Sequence, residues 1–264
     1  MTTATLTERI IARKEGAVGW LIFNNPERRN AVSVDMWEAI PRVLADYEAD
    51  PQVRVIVLSG AGDKAFVSGA DISQFEKERS SADAVQRYEE LAEGAAAKLQ
   101  GCDKPLIAMI RGYCLGGGMN IAVLCDIRIA ADDARFGIPA AKMGLGYRAS
   151  SMKTLVEVVG AAYAREIMIT ARQFTAAEAK EMGLVNKVTT KEELERAVRE
   201  YCEMISGNAP LTMRTAKRII RELGKVDYDA AQCRAWAKEC FESADYKEGR
   251  KAFMEKRKPV FTGK

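Results

Sequence analysis

The triple-glycine segment near the middle of the chain reads Gly112-Tyr113-Cys114-Leu115-Gly116-Gly117-Gly118-Met119-Asn120. It follows an apolar strand and opens a helix-like stretch over Gly117 to Cys125. A second turn of this kind, Ser68-Gly69-Ala70-Asp71-Ile72, opens a helix-like stretch over Ile72 to Arg79. Small residues at a helix N-terminus leave backbone N–H groups unpaired and approachable. The two turns would thus point two N–H groups at one oxyanion, although glycines that merely end strands are the alternative.

Strand-like and helix-like patterns alternate on both sides of these turns. Apolar runs predict strands over Val18 to Phe23, Val53 to Leu58 and Pro105 to Ile110. Between them, helices are predicted from Ser33 to Tyr47, with a kink or a tight first half at Pro41, and from Ala82 to Leu99. This alternation predicts an α/β layered core.

The chain from residue 150 onward is predicted to be helical almost throughout. Thr175 and Glu178 form a capping box, and Gly183 is a C-terminal stop. The predicted helices are Ser150 to Val159, Ala161 to Thr170, Thr175 to Met182, Lys191 to Ile205, Leu211 to Leu223, Asp227 to Ala244 and Tyr246 to Lys256.

Composition narrows the classes of protein that the chain can represent. Its 264 residues are 48% hydrophobic and 29% charged, which is typical of a globular protein. Forty Lys and Arg against 37 Asp and Glu give a charge of +3 without a long basic run, so nucleic-acid binding is not indicated. No apolar run approaches the roughly 18 residues of a membrane span, and the first ten residues do not resemble a signal peptide. Six cysteines without a C-x-x-C pair suit reduced thiols, and we expect a cytoplasmic protein.

The chain contains no histidine. Ser-His-Asp and Cys-His nucleophilic catalysis, His-ligated metal sites and His proton shuttles are therefore excluded. Catalysis has to depend on carboxylates, Tyr, Lys, Cys or backbone dipoles.

Five segments, taken in order, resemble the crotonase superfamily, which is the enoyl-CoA hydratase/isomerase family. They are Lys64-Ala65-Phe66 with Ser68 to Ile72, Gly112-Tyr113 with Gly116 to Gly118, Cys125 to Ala130, Phe136 to Pro139, and Ala252 to Pro259. The resemblance spans about residues 10 to 263. It implies a spiral of ββα units over residues 1–200 and a helical oligomerisation region over residues 201–264, assembled as a trimer or a dimer of trimers.

The resemblance also implies a set of site residues. In that family the thioester oxygen sits between two backbone N–H groups, which match Ala70 and Gly117. Asp71, Asp126 and Arg128 are interpreted as structural. Coenzyme A is expected as part of an acyl-CoA substrate, with no permanently bound cofactor and no metal. The residues that match coenzyme A contacts are Ala31, Lys64, Ala70 and Ile72, with Phe253 and Lys256 from a neighbouring subunit; surface lysines are the alternative for Lys64 and Lys256.

Two positions depart from the hydratases that the chain resembles. Those enzymes use two glutamates, and the matching residues here are Asn120 and Ala140. Neither can transfer a proton, and a positioned acid or base contributes about 10²- to 10⁴-fold in rate. Asn120 would instead form a hydrogen bond within its helix or orient a water molecule. Replacement carboxylates would have to come from Glu76, Glu78 or Glu157.

The segment Met143 to Ala149 resembles the corresponding turn of methylmalonyl-CoA decarboxylases, in which a tyrosine at the place of Tyr147 faces the reacting centre. The alternative for Tyr147 is a rim aromatic that packs on the acyl chain. Arg148 either adds a guanidinium to the site or lies in solvent or beside an acid. Three functions therefore stay open: a hydratase/isomerase-family enzyme, a malonyl-type CoA decarboxylase, and a non-catalytic acyl-CoA-binding protein.

Overall fold

The computed structural model describes residues 7–71 and 82–264 of the chain. The predicted helix over Ile72 to Arg79 therefore lies outside the described residues, as do Ile72, Glu76 and Glu78 as site candidates. None of the helices in the described ranges is long and apolar enough to cross a membrane.

The strands and helices follow the predicted alternation. The strands are β1 (Ile10–Glu15), β2 (Val18–Phe23), β3 (Val55–Gly60), β4 (Ala65–Val67), β5 (Leu106–Ile110), β6 (Tyr113–Leu115), β7 (Ile127–Ala131), β8 (Arg135–Gly137), β9 (Phe174–Thr175) and β10 (Lys187–Thr189). The α-helices are α1 (Val34–Ala49), α2 (Ala82–Gly101), α3 (Gly117–Leu124), α4 (Ala149–Thr170), α5 (Ala176–Glu181), α6 (Leu194–Ser206), α7 (Pro210–Leu223), α8 (Ala230–Glu242) and α9 (Ala244–Met254). Short 3₁₀ turns cover Pro26–Arg28 and Pro139–Met143.

Two sheets organise the first two thirds of the chain. A six-stranded sheet has the order β1-β2-β3-β5-β7-β10, in which only the β1–β2 pair is antiparallel. A four-stranded sheet has the order β4-β6-β8-β9, with an antiparallel β8–β9 pair. The chain runs β5-β6-α3 and then β7-β8-α4, placing one strand in each sheet before each helix. This is the repeated ββα unit that the resemblance implied.

The large sheet is buried on both faces, which explains the uninterrupted apolar runs of its parallel strands. Because side chains alternate along a strand, Ile56 and Leu58 of β3 join one core cluster while Val55 and Val57 join the other. Helices α1 and α2 pack together and contribute to the first cluster. Helix α6 contributes Leu194, Ala197, Val198, Cys202 and Ile205 to the second.

Local signals in the helical region are confirmed in detail. Thr175 and Glu178 exchange hydrogen bonds, from Thr175 N to Glu178 Oε2 at 2.7 Å and from Glu178 N to Thr175 Oγ1 at 3.2 Å. Gly160 has a φ of 73°, which is not helical, so it divides α4 into two halves. The sequence predicts two separate helices that meet at this residue. Helix α7 contacts the segment between α3 and β7 through Lys217 Nζ, which lies 2.6 Å from Asp126 Oδ2.

Some predicted boundaries are wrong by two or three residues. The helix predicted from Lys191 begins at Leu194, because the preceding residues form a turn closed by Glu193 N donating to Thr190 O at 3.2 Å. The helix predicted from Asp227 begins at Ala230, because the Asp229 side chain accepts from Gln232 N at 2.8 Å and caps it. Helix α1, predicted to end at Tyr47, continues through Pro41 to Ala49.

Candidate active site

The upstream turn joins β4 to the residues beyond Asp71. Gly69 has a φ of 120°, a conformation that L side chains rarely adopt, so this position requires glycine. A parallel bridge pairs Val32 with Ala70 through two hydrogen bonds, Val32 N to Gly69 O at 2.8 Å and Asp71 N to Val32 O at 3.1 Å. These hydrogen bonds use the carbonyl oxygen of the residue before Ala70 and the N–H of the residue after it. Within the described ranges, the Ala70 N–H has no hydrogen-bond acceptor.

The downstream turn joins β6 to α3. Gly116 N donates to Gly137 O at 2.8 Å, and Gly117 is the first residue of the helix. A helix leaves its first N–H groups without partners, and that of Gly117 has no acceptor among residues 7–71 and 82–264. A Cβ at Gly118 would lie 2.1 Å from Val67 O, so only glycine lets α3 approach β4 this closely.

The two turns are in direct contact. A Cβ built on Gly117 would lie 3.8 Å from the Ala70 nitrogen, and one built on Gly116 would lie 3.9 Å from Gly69 Cα. Ala70 and Gly117 are both only half-buried. The structure therefore brings together two unpaired amides that the sequence places 47 positions apart. Two such donors can bind one oxygen that carries negative charge.

Tyr147 follows the 3₁₀ turn Pro139–Met143. Gly144 ends that turn with a φ of 62°, and Leu145 N donates to Ala140 O at 3.0 Å. The Tyr147 ring is half-buried and packs on the main core cluster. Burial raises the pKa of Tyr147 to about 12, and the side chain of Asn120 partly offsets that rise. The phenol is thus a neutral donor at ordinary pH.

The two positions that hold glutamates in hydratases contain no proton-transfer group. Asn120 is half-buried on the first turn of α3, with its own N–H donating to Gly116 O at 3.1 Å. Ala140 is 3% exposed and belongs to the main core cluster. Glu157, the described replacement candidate, is exposed and lies 3.7 Å from Lys153 Nζ, so the structure does not bring it to these residues.

Arg148 does not supply a free guanidinium. Its Nη1 lies 3.0 Å from Glu93 Oε1 and its Nη2 lies 3.3 Å from Glu89 Oε1, both on α2. Nη1 also donates to the backbone oxygen of Glu89 at 3.3 Å. Of the interpretations that the sequence left open for Arg148, pairing with a nearby acid is confirmed.

The residues matched to coenzyme A contacts fall into two groups. Ala31 adjoins the upstream turn, since it directly precedes the bridged Val32, whereas Lys64 is exposed and directly precedes β4, at the opposite end of that strand from the turn. Phe253, 83% exposed, and Lys256, also exposed, lie at the end of α9, which packs against α8. The structure of the single chain thus holds Ala31 beside the Val32–Ala70 bridge, Lys64 at the start of β4 and the other two residues in the C-terminal region.

Sequence reasoning missed the role of Asn30. This residue is 1% exposed, has a φ of 57°, and donates from Nδ2 to Ala65 O at 2.8 Å and to Ala61 O at 3.0 Å. It thereby fixes the segment before Val32 against the strand that leads to Ala70. The available signal was the tolerance of asparagine for left-handed backbone.

Asp126 and Arg128 are structural, as interpreted. Asp126 Oδ2 accepts from Leu106 N at 2.7 Å, and the buried Arg128 donates from Nε to Leu184 O at 2.6 Å. Asp71 is buried too, and its Oδ1 lies 3.5 Å from Arg28 Nη1. In the part of the chain that is described, no three His, Cys, Asp or Glu side chains are grouped so as to hold a metal ion.

Comparison with known proteins agrees with this geometry. The sequence profile of the family described as enoyl-CoA hydratase/isomerase matches residues 13–264. The short-chain-enoyl-CoA hydratase of Clostridium acetobutylicum is 36% identical over 252 residues, covering 94% of this chain and 95% of that protein. The peroxisomal Delta(3,5)-Delta(2,4)-dienoyl-CoA isomerase of Arabidopsis thaliana is 34% identical over 277 residues, covering 99% of each.

A solved structure extends the similarity to the fold. The crystal structure of an enoyl-CoA hydratase/carnithine racemase from Magnetospirillum magneticum superposes with a TM-score of 0.92 at 33% identity, covering 99% of both chains. Sequence and architecture agree over nearly the whole length. The chain belongs to the enoyl-CoA hydratase/isomerase family of the crotonase superfamily.

Proposed function

We propose that this protein is an acyl-CoA enzyme that stabilises a thioester enolate between the backbone N–H groups of Ala70 and Gly117. The observation that carries this proposal is the contact between the two glycine turns, which leaves two unpaired amides side by side in residues that are only half-buried. One preorganised donor of this kind contributes roughly 3 to 4 kcal/mol to the transition state. The enolate oxygen accepts both hydrogen bonds as negative charge moves onto it.

The side chains around these amides argue against efficient hydration. Adding water to an enoyl thioester needs one group to activate the water and another to deliver a proton. Asn120 and Ala140 can do neither. The relatives include a hydratase at 36% identity and an isomerase at 34% identity, so overall similarity does not select the reaction.

Decarboxylation of a malonyl-type thioester is the second candidate, and the environment of Tyr147 favours it. In this reaction the bond between the carboxylate carbon and Cα breaks, carbon dioxide leaves, and the electron pair forms the enolate. The enolate carbon then takes a proton from solvent or a neighbouring donor. The step needs no base, and a neutral phenol donates to the substrate without repelling its charge.

Coenzyme A binding and assembly belong to the same proposal. Lys64 is exposed directly before β4, so its ammonium is available for a phosphate. Phe253 and Met254 are 83% and 81% exposed at the end of α9, and Ile220 of α7 is 71% exposed. Large exposed apolar side chains are typical of an interface. We infer a trimer or a dimer of trimers, in which Phe253 and Lys256 contact coenzyme A bound to a neighbour.

The test is incubation with a panel of CoA thioesters, followed by mass spectrometry of the products. Hydration, decarboxylation and hydrolysis each produce a different mass change, whereas isomerisation leaves the mass unchanged and is detected by absorbance. Turnover that is lost in a Gly117→Pro variant supports the proposal. Saturable binding of acyl-CoA without conversion of any thioester refutes it in favour of a non-catalytic acyl-CoA-binding protein.

A further inference from the structure

The stretch of chain that carries Tyr147 (the Tyr147 segment, residues 141–148) has little support from its own residues. Residues 141–146 are exposed. Gly144 and Gly146 lie in this stretch, and a Cβ built on either of them would have no atom within 4 Å. The main chain that leads to Tyr147 is therefore surrounded by open space, and its position depends on contacts at the end of the segment.

Arg148 connects the end of the Tyr147 segment to α2. Its Nη1 lies 3.0 Å from Glu93 Oε1, and its Nη2 lies 3.3 Å from Glu89 Oε1. Nη1 also donates to the backbone oxygen of Glu89 at 3.3 Å. The two acids are four residues apart on the helix, so they lie on the same face of α2. One side chain thus bridges the segment and the helix by three contacts.

The bridge joins two elements that also meet at the helix of the candidate site. Helix α3, which begins at Gly117, packs against both α2 and α4. Arg148 is the N-cap of α4, and Tyr147 directly precedes it and packs on the main core cluster. Tyr88, the neighbour of Glu89 on α2, packs on the same cluster. The bridge therefore helps to set where Tyr147 lies relative to α2 and α3.

The strength of this bridge suits a local alignment better than a contribution to global stability. The Arg148 side chain is 32% exposed, and those of Glu89 and Glu93 are 47% and 58% exposed. Ion pairs as exposed as these shift an equilibrium by at most about fivefold. A shift of this size is small for the folding of the chain, but it changes the fraction of time for which a catalytic donor is aligned.

We propose that Arg148 is a positioning residue, whose bridge to Glu89 and Glu93 holds the Tyr147 segment against α2 and thereby aligns the phenol with the acyl part of the thioester. Its guanidinium does not contact the substrate. This inference rests on the proposed function, in which Tyr147 donates to the acyl group. Its effect on the reaction requires the phenol, whereas a direct role for the guanidinium would not.

A double-mutant cycle tests this dependence. With the thioester that is turned over fastest, Arg148→Gln should lower kcat by about threefold to fivefold, with little change in KM. In the Tyr147→Phe background it should cause no further loss. Arg148→Lys, which keeps the charge, should recover part of the rate. Losses that multiply in the double variant, or a larger loss from Arg148→Gln than from Tyr147→Phe, overturn the inference.

Arg196→Gln is the matched control for these variants. Arg196 also bridges two partly exposed acids, Glu193 at 2.6 Å and Glu200 at 2.7 Å. Those partners lie on α6 and at its N-cap, so this bridge joins no second element. Its removal should leave kcat unchanged. A loss of rate in Arg196→Gln equal to that in Arg148→Gln would assign the effect to lost surface charge and overturn the inference.

A second measurement needs no substrate. Lys142 is exposed in the Tyr147 segment, so a lysine-specific protease reports how readily the segment opens. Cleavage after Lys142, identified by mass spectrometry, should be about threefold to fivefold faster in Arg148→Gln than in the native protein, and unchanged in Arg196→Gln. Equal rates in Arg148→Gln and the native protein overturn the inference, even if the enolate chemistry is verified. Failure of every thioester to react would refute the proposed function, whereas the cleavage rates would still decide whether Arg148 holds the segment.

Discussion

Arg148 Nη1 lies 3.0 Å from Glu93 Oε1, so the cation nearest to Tyr147 in sequence is engaged by an acid on α2. The second acid, Glu89, pairs with the other terminal nitrogen of the guanidinium, Nη2. All three side chains are partly exposed, and such pairs contribute at most about 1 kcal/mol to stability. The charge of Arg148 is therefore balanced within the protein, and we assign the donor role to Tyr147 alone.

Tyr147→Phe should depress decarboxylation of a malonyl-type thioester and leave coenzyme A affinity nearly untouched. The phenol would act mainly in the transition state, so kcat falls while binding does not. Single-turnover rates and titration with coenzyme A measure the two effects. Arg148→Gln is the matched comparison and should have the smaller effect on rate. A larger loss in Arg148→Gln than in Tyr147→Phe would reverse the assignment of the donor.

Hydration of crotonyl-CoA should be slower than in a two-glutamate hydratase by about 10³-fold or more, from the missing acid and base alone. The loss of enoyl absorbance on mixing measures it. Normal hydratase activity in the unmodified protein would mean that another acid and base exist.

Asn120→Glu combined with Ala140→Glu should raise hydration. Ala140 is buried, so a glutamate there would have a raised pKa, which suits a general acid. Each single variant should gain less than the pair, because the reaction needs both groups. The same absorbance assay decides the outcome, and equal gains from one glutamate and from two would contradict the paired role.

Gly117→Pro should lower any thioester chemistry by more than about tenfold, since it removes one of the two N–H donors. Proline is well tolerated at the first position of a helix, which makes the substitution a test of the donor more than of the fold. Gly117→Ala retains the N–H, and its Cβ would be at least 3.7 Å from its neighbours, so it should lose less activity. Unchanged turnover in a folded Gly117→Pro variant would remove this residue from the mechanism.

Assembly should depend on the exposed end of α9. The native protein should sediment well above the 29.1 kDa of one chain at micromolar concentration. Removing Tyr246 to Lys264, or the milder change Phe253→Asp, should weaken both assembly and coenzyme A binding. Lys251→Ala, an exposed position on the same helix, should alter neither. A native protein that sediments as a monomer would contradict the interface.

Alkaline pH should destabilise the protein partly through Tyr147. Burial raises the pKa of Tyr147 to about 12, whereas a tyrosine in the unfolded chain titrates near 10. As pH rises above about 10, the unfolded state loses a proton that the folded state keeps, so the free energy of unfolding falls. Urea unfolding between about pH 9 and pH 11 should show a shallower decline in Tyr147→Phe than in the native protein. Identical slopes would mean that the phenol titrates normally.

The sequence predicted features that depend on residues close together in the chain better than features that depend on distant residues. The cap at Thr175 and the separation at Gly160 depend on backbone chemistry within a few residues, and both were predicted. The strands β4, β6 and β8 were missed because three residues are too few to show a periodic pattern. The contact between Arg148 and α2 links residues more than 50 positions apart, and charge alone did not identify the partner.

In the candidate site too, features set by neighbouring residues were predicted from the sequence, whereas features set by tertiary contacts were not. The free N–H at Gly117 follows from its place at a helix start, which the glycine pattern predicts. The apposition of Ala70 and Gly117 depends on the pairing of β4 with β6 and on the Val32–Ala70 bridge, which are tertiary features. The absence of carboxylates at positions 120 and 140 was identifiable only because the family resemblance marked those positions.

The oxyanion site that we propose is made of main-chain amides, which would give it an unusual tolerance to mutation. Short of proline, no residue exchange at Ala70 or Gly117 deletes an amide, and the Val32–Ala70 bridge fixes one of them through backbone atoms alone. Positions 120, 140 and 147 supply their chemistry through side chains, which a single codon change can replace. Directed evolution confined to these three codons would therefore vary the reaction while the site for the oxyanion stays in place, which makes this chain a scaffold for building new thioester catalysts.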